Sequence, residues 1–181
     1  IAQDRETILD GEMEISYFGG LNLNFANVMQ NITGLIGGQG GILVNDAIYI
    51  GGSLGSSITE IGGGYSSYRY VGLLFGSFVK PKDAIHYFAD VGLYSGKISS
   101  EGLGGIVSAT TEKFSIIEPR GGVGINLNDK LKATAGLSYK LVGAIDNSDI
   151  SKKDIGGISL SGSIIYAVSY THLTLPTNRE V

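Results

Sequence analysis

The stretch Leu-Lys-Ala-Thr-Ala-Gly-Leu-Ser-Tyr-Lys-Leu, residues 131–141, decides the fold of this chain. Its odd positions are apolar and its even positions are polar or small, so apolar residues recur at every second position. A period of two is that of a β-strand with two different faces. A tilted strand of about 9 to 11 residues crosses the hydrocarbon core of a bilayer, with apolar side chains outward and polar ones inward. The stretch therefore predicts a membrane-spanning β-strand.

The composition agrees with one β-rich domain. The chain has 181 residues with 29 glycines, 3 prolines and 43% hydrophobic residues, which favours a glycine-rich all-β protein. The absence of cysteine excludes disulfides, thiol catalysis and cysteine metal sites. A net charge of -4 without a cluster of Lys and Arg argues against a nucleic-acid partner.

Seven other stretches carry strand patterns. The fourth has two apolar faces, so the sequence leaves its phase open, and glycines in the second are interpreted as permitting bends. Pro119 is predicted to lie at a β-bulge because it has no N–H to donate. With the stretch 131–141, the predicted strands are 15–25, 35–44, 47–57, 68–79, 85–94, 113–127 and 155–167.

The predicted connections alternate in length. Long connections at 26–33, 59–65, 99–112 and 143–153 are separated by short ones at 45–46, 80–83 and 128–129. Outer-membrane barrels have short periplasmic turns and longer external loops. The sequence thus predicts an all-β, eight-stranded antiparallel up-and-down transmembrane β-barrel over residues 15–167, located in an outer membrane.

The inward positions of these strands supply the candidate site residues. An eight-stranded barrel has a lumen just wide enough for side chains to fill, and buried charges need partners. We therefore predict a lumen charge network rather than a catalytic site. A hydrolase or acyltransferase would need a His beside a nucleophile, and His86 has no convincing Ser partner. No catalytic residue, cofactor or metal site is predicted, and the network comprises His86, Asp90, Glu118, Arg120, Lys132 and Lys140.

Aromatic residues on the outward positions predict two interfacial girdles. Tyr17, Tyr87 and Tyr166 fall at the rim that carries the chain ends, which is periplasmic in such barrels. Phe25 and Tyr139 fall at the opposite rim.

The two ends of the chain are expected to differ from the barrel. Residues 1–14 are polar and acidic and are expected to be a lead-in that follows a removed signal peptide. Residues 168–177 resemble a translated sequencing adapter. We therefore expect 168–181 to be an assembly artefact in which His172 carries no chemistry.

Four segments also resemble a known family. They are Gly37-Gly38-Gln39-Gly40-Gly41 followed by Ile42-Leu43-Val44-Asn45, then Ile50-Gly51-Gly52-Ser53, Ile117-Glu118-Pro119-Arg120 and Gly136-Leu137-Ser138-Tyr139. Over most of residues 18–167 the chain resembles the small outer-membrane β-barrel proteins of Gram-negative bacteria, although Ile42 stands where a tryptophan is expected. The resemblance implies the fold and the compartment and brings no catalytic residues.

Three roles follow from these observations. The first is an outer-membrane barrel with a structural or surface-interaction role, whose partners are the lipid bilayer and an extracellular molecule that contacts the long loops. The second is a soluble lipocalin-like barrel that binds a small apolar ligand. The third is a surface adhesin that acts through loops 99–112 and 143–153. A conducting pore is not expected, because side chains fill a lumen of this size.

Overall fold

The computed structural model describes residues 14–59, 61, 67–100, 111–145 and 151–169. This part of the chain is almost entirely β-structure. It holds no helix long and apolar enough to span a membrane. The elements are β1 (Ile15–Val28), β2 (Asn31–Val44), β3 (Ile48–Ser57), β4 (Ser67–Val79), β5 (Ile85–Ser99), β6 (Thr111–Asn126), β7 (Leu131–Ile145), α1 (Lys152–Ile155) and β8 (Gly157–Ser169).

The strands form one closed antiparallel barrel. Each strand pairs with the next along the chain, and β1 pairs with β8, which confirms the predicted architecture. Following the ladder once around the barrel from Ile15 returns to Phe25, ten residues further along β1. This stagger tilts the strands by roughly 35 to 45° from the barrel axis. The path runs through Val44, Ile48, Ser77, Ala89, Gly121, Leu137 and Leu160.

The two faces of the wall differ in polarity. On β7, Leu137 is 61% exposed and Ser138 only 5% exposed, so the apolar positions of residues 131–141 face outward. The phase of β4, which its sequence leaves open, is set by its neighbours: Tyr68, Leu74 and Phe78 point inward. An apolar outer surface encloses a mixed interior.

The interior is filled in three layers. We call the end with the turns at 45–47, 80–84 and 127–130 the turn end, and the opposite end the loop end. Polar residues form a central belt, and an apolar cluster closes each end. At the loop end lie Val28, Leu35, Ile61, Tyr68, Ile98, Phe114, Ile116 and Ile155. At the turn end lie Phe18, Leu43, Tyr49, Leu74, Phe78, Phe88, Ile165 and Ala167.

Inward glycines make room for the rings that fill the lumen. In six places a glycine pairs directly with an aromatic residue or histidine whose ring occupies the space that a Cβ on the glycine would need. Besides permitting the bends that the sequence predicts, glycine therefore leaves space for neighbouring rings. The pairs are Gly55 with Tyr70, Gly72 with Tyr94, Gly76 with Tyr49, Gly96 with Phe114, Gly122 with Phe88 and Gly124 with His86.

The prediction of a long connection at 26–33 is wrong. β1 continues to Val28 and β2 begins at Asn31, so Met29 and Gln30 alone form the turn, with φ of 52° and 63°. Positive φ at both central residues suits the right-handed twist of a hairpin. The Met29 side chain packs against the loop-end cluster and its N–H donates to the Asp154 carbonyl over 2.6 Å. The alternation of long and short connections therefore fails at its first member.

Two further local predictions are wrong. The β-bulge lies between Phe114 and Ile116 rather than at Pro119, which points outward and pairs with Val91 on β5. Pairing of β6 with β7 is interrupted at Pro119, since proline has no N–H to donate, and this needs no extra residue. Ile155, predicted as the start of the last strand, ends α1 and is fully buried.

Several predictions fall on residues outside the described part of the chain. These are residues 1–13 of the lead-in, 60 and 62–65 of the loop 59–65, 101–110 of the loop 99–112, 146–150 of the loop 143–153, and residues 170–181. β8 includes Val168 and Ser169, where the predicted artefact begins.

Candidate functional site in the barrel interior

The centre of the polar belt is an ion pair between neighbouring strands. Asp90 on β5 and Arg120 on β6 are direct ladder partners that both point inward. Arg120 Nη2 lies 2.7 Å from Asp90 Oδ2, and Arg120 Nε donates to Oδ1 over 3.0 Å. The Tyr49 hydroxyl donates to the same Oδ2 over 2.6 Å, and the guanidinium lies over the Phe88 ring at 5.5 Å. The carboxylate and the guanidinium are thus held from several sides.

A second group lies nearer the loop end. Ser138 donates a hydrogen bond to Glu118 Oε1. Lys140, on the same strand as Ser138, is 4% exposed, and its Nζ lies 5.4 Å above the centre of the Tyr68 ring. No hydrogen-bond partner for Lys140 Nζ is found among the described residues. A cation over a tyrosine face is stabilised by the ring quadrupole.

The third group lies at the turn end, around one aromatic ring. His86 is fully buried and packs edge-on against Phe78, with ring centroids 5.3 Å apart. The Lys132 Nζ lies 5.3 Å from the centre of the same Phe78 ring. No serine in the described part of the chain is hydrogen-bonded to His86, so these residues lack the nucleophile and base pair that acyl transfer needs.

The structure therefore places all six predicted charged residues inside the barrel but in separate groups. Asp90 and Arg120 are in direct contact. Glu118 and Lys140 lie nearer the loop end, and His86 and Lys132 lie nearer the turn end. Within the described ranges, no three His, Cys, Asp or Glu side chains are grouped as metal ligands would be. The described arrangement keeps buried charges next to aromatic rings or opposite charges.

The polar belt includes residues that the sequence analysis did not name. Asn22 donates to the Ser53 hydroxyl over 3.2 Å and accepts a hydrogen bond from the Tyr70 hydroxyl over 3.2 Å. Tyr49 bridges the turn-end cluster and the ion pair. The signal for Tyr49 was available, since it lies between the outward residues Ile48 and Ile50 and must therefore point inward.

Two cavities between the described side chains of the lumen are very small. A cavity of about 10 Å³ lies beside the ion pair and is lined by Asn24, Tyr94 and Glu118 among others. A second cavity of about 10 Å³ lies in the turn-end cluster between Phe18 and Lys132. Each is close to the smallest space that can hold one water molecule. Neither of these two cavities has room for an organic ligand.

The predicted girdle aromatics all point away from the lumen. Their exposed fractions range from 44% for Phe25 to 61% for Tyr87. Tyr17, Tyr87 and Tyr166 lie near the turn end, and Phe25 and Tyr139 lie closer to the loop end.

Comparisons with known proteins bear on the fold. No family model matches this chain, and no curated protein does. Solved structures do match. The N-terminal β-barrel domain of Pseudomonas aeruginosa OprF is 11% identical with a TM-score of 0.61, and the match covers 85% of this chain and 97% of that one.

Two other outer-membrane proteins superpose in the same way. Neisserial surface protein A is 11% identical with a TM-score of 0.62, covering 85% of this chain and 96% of its own. Yersinia pestis Ail, the attachment invasion locus protein, was crystallised with the heparin analogue sucrose octasulfate. It is 12% identical with a TM-score of 0.54, covering 88% of this chain and 99% of its own.

The chain has the fold of the small outer-membrane β-barrels. At 11 to 12% identity the likeness carries the fold and not the individual activities.

Proposed function

We propose that the protein is an outer-membrane β-barrel with a structural or surface-interaction role and without catalysis. The observation that carries the proposal is the polarity of the wall. The outward positions of the strands form a broad apolar surface that includes Leu21, Leu54, Leu73, Leu93, Leu137 and Leu160, each at least 43% exposed.

Such a surface in water would be far larger than the apolar patches that soluble monomers expose. In a bilayer it is the surface that lipid chains cover. The likeness to OprF, NspA and Ail in fold supports the same placement.

The interior argues against a lipocalin-like role. A lipocalin encloses a cavity that can hold one small ligand. Here the axis is blocked by the aromatic cluster of Phe18, Phe78 and Phe88 at the turn end, and the cavity beside it is only about 10 Å³. Any surface interaction would involve the loop end, where the longer connections at 100–110 and 146–156 emerge.

Refolding and fractionation test this proposal. The refolded chain is expected to migrate faster on a detergent gel when unheated than when boiled, and to float with lipid vesicles after insertion. The cellular protein is expected in the outer-membrane fraction. Recovery as a detergent-free soluble monomer would contradict the proposal.

A further inference from the structure

The outer wall carries three positive charges side by side at the loop end. Arg69 on β4 pairs directly with Lys97 on β5, and Lys97 pairs directly with Lys113 on β6. All three side chains are exposed. Every other charged side chain in the described strands points into the lumen. The outward charge of the wall is therefore confined to this basic row of Arg69, Lys97 and Lys113.

The basic row has no protein counter-charge in the described part of the chain. No salt bridge of Arg69, Lys97 or Lys113 is found there, and the salt bridge that is found joins Asp90 and Arg120 in the lumen. Like charges directly opposite each other on a sheet are destabilising. An anion seated among the three side chains would remove this repulsion and add charge-assisted hydrogen bonds.

A groove lies against the basic row on the same outer face. It has a volume of about 540 Å³, and it is lined by all three cations and by the apolar side chains of Ile36, Leu54 and Val71. Val71 precedes Leu73 on the outward face of β4 and lies on the turn-end side of Arg69. The groove is thus cationic toward the loop end and apolar toward the middle of the barrel, which is the polarity of a lipid seen from headgroup to chain.

We propose that this groove binds a phosphorylated membrane lipid, with the phosphate among Arg69, Lys97 and Lys113 and an acyl chain along Leu54 and Val71. The inference rests on the membrane location proposed above. A phosphomonoester carries a charge of about -1.5 to -2 at pH 7, which suits a site of three cations. The guanidinium provides a planar fork for two phosphate oxygens, and the two ammonium groups provide point charges.

Lipid binding by the folded protein in neutral detergent tests the inference, with native mass spectrometry as the readout. The probes are phosphatidic acid, phosphatidylcholine with the same chains, and inorganic phosphate. We expect the triple variant R69Q, K97Q and K113Q to bind phosphatidic acid at least about tenfold more weakly than the natural sequence. The matched control K80Q, K82Q and K130Q removes three exposed cations at the turn end and is expected to change binding by less than about twofold.

The single variant Lys97→Gln removes the central cation with little risk to the fold and is expected to weaken binding in the same direction. Val71→Ser is expected to weaken it too, whereas Val123→Ser, at another outward position, is not. Equal binding of phosphatidic acid by the natural sequence and the triple variant would overturn the inference. Equal affinity for phosphatidylcholine, or full displacement by inorganic phosphate, would also overturn it. Failure to insert into micelles or vesicles would instead contradict the proposed membrane location.

Discussion

The ring of Phe114 on β6 lies over Gly96, its direct partner on β5, and fills the space that a side chain at position 96 would occupy. Gly96→Val is therefore expected to lower the free energy of unfolding by about 1 to 3 kcal/mol, because the ring must leave its place in the loop-end cluster. Urea titration of the refolded protein in micelles measures this. Gly19→Val is the control, since no atom lies within 4 Å of the added Cβ there, and an equal loss in both variants would contradict the account.

Removal of one member of the central ion pair is expected to be costly. The side chains of Arg120 and Asp90 are 11% and 1% exposed, so Asp90→Ala leaves a buried guanidinium without its carboxylate. We expect a loss of about 3 to 5 kcal/mol in unfolding free energy. The double variant Asp90→Leu with Arg120→Met is expected to recover most of that loss. A double variant no more stable than Asp90→Ala would show that Asp90 matters instead through the hydrogen bond that the Tyr49 hydroxyl donates to it.

Contact of the outward face with lipid is tested by the free-energy cost of an introduced charge, which should depend on its depth in the bilayer. Leu137 lies in the middle of the β7 wall and Leu127 lies just beyond the end of β6, and both are more than half exposed. In vesicles, Leu137→Arg is expected to cost about 2 to 4 kcal/mol and Leu127→Arg about 0 to 1 kcal/mol. Ser138→Arg, which enters the lumen beside Glu118, reports on free space instead. Similar small effects at 137 and 127 would mean that lipid does not cover this face.

The short helix α1 is predicted to hold the loop end closed through Ile155, which is fully buried. Ile155→Ala is expected to cost about 2 to 5 kcal/mol, from lost burial and the cavity that remains. Hydrogen exchange should accelerate at the Met29 N–H, which donates to Asp154 in α1. Lys153→Ala on the exposed side of the same helix serves as the control, and unchanged exchange at Met29 in the Ile155 variant would refute this role.

The architecture could be predicted from the sequence because the outward face of each strand meets the same surroundings and is apolar for that reason. In 131–141 the outward set is uniformly apolar, and a period of two then fixes which residues point inward. The same rule placed His86, Asp90 and Lys140 in the lumen. The period of two does not predict which of these side chains are in contact, because the distance between inward side chains depends on the stagger of strands that are far apart in sequence.

Predictions of local features were wrong or incomplete where the usual sequence signals are missing. The Met29-Gln30 turn lacks the Asn or Gly that normally marks positive φ. It depends on packing against the loop-end cluster and on the hydrogen bond that the Met29 N–H donates to the Asp154 carbonyl in α1. Ile155 continues the apolar pattern of β8 in sequence but is separated from it by Gly156, whose N–H closes the helix onto Lys152. The phase of β4 required its neighbours, since both faces of 68–79 are apolar.

Pairing of β1 with β8 also constrains the order of assembly. Phe18 is paired with Ala167, so β1, which is synthesised before the other strands, keeps an unpaired edge until β8 has been made. A chain that still lacks β8 therefore has two unpaired strand edges, and such edges readily pair with other chains. Pairing of β1 with β8 removes both edges in a single step, so we expect the chain to be prone to aggregation until that pairing forms.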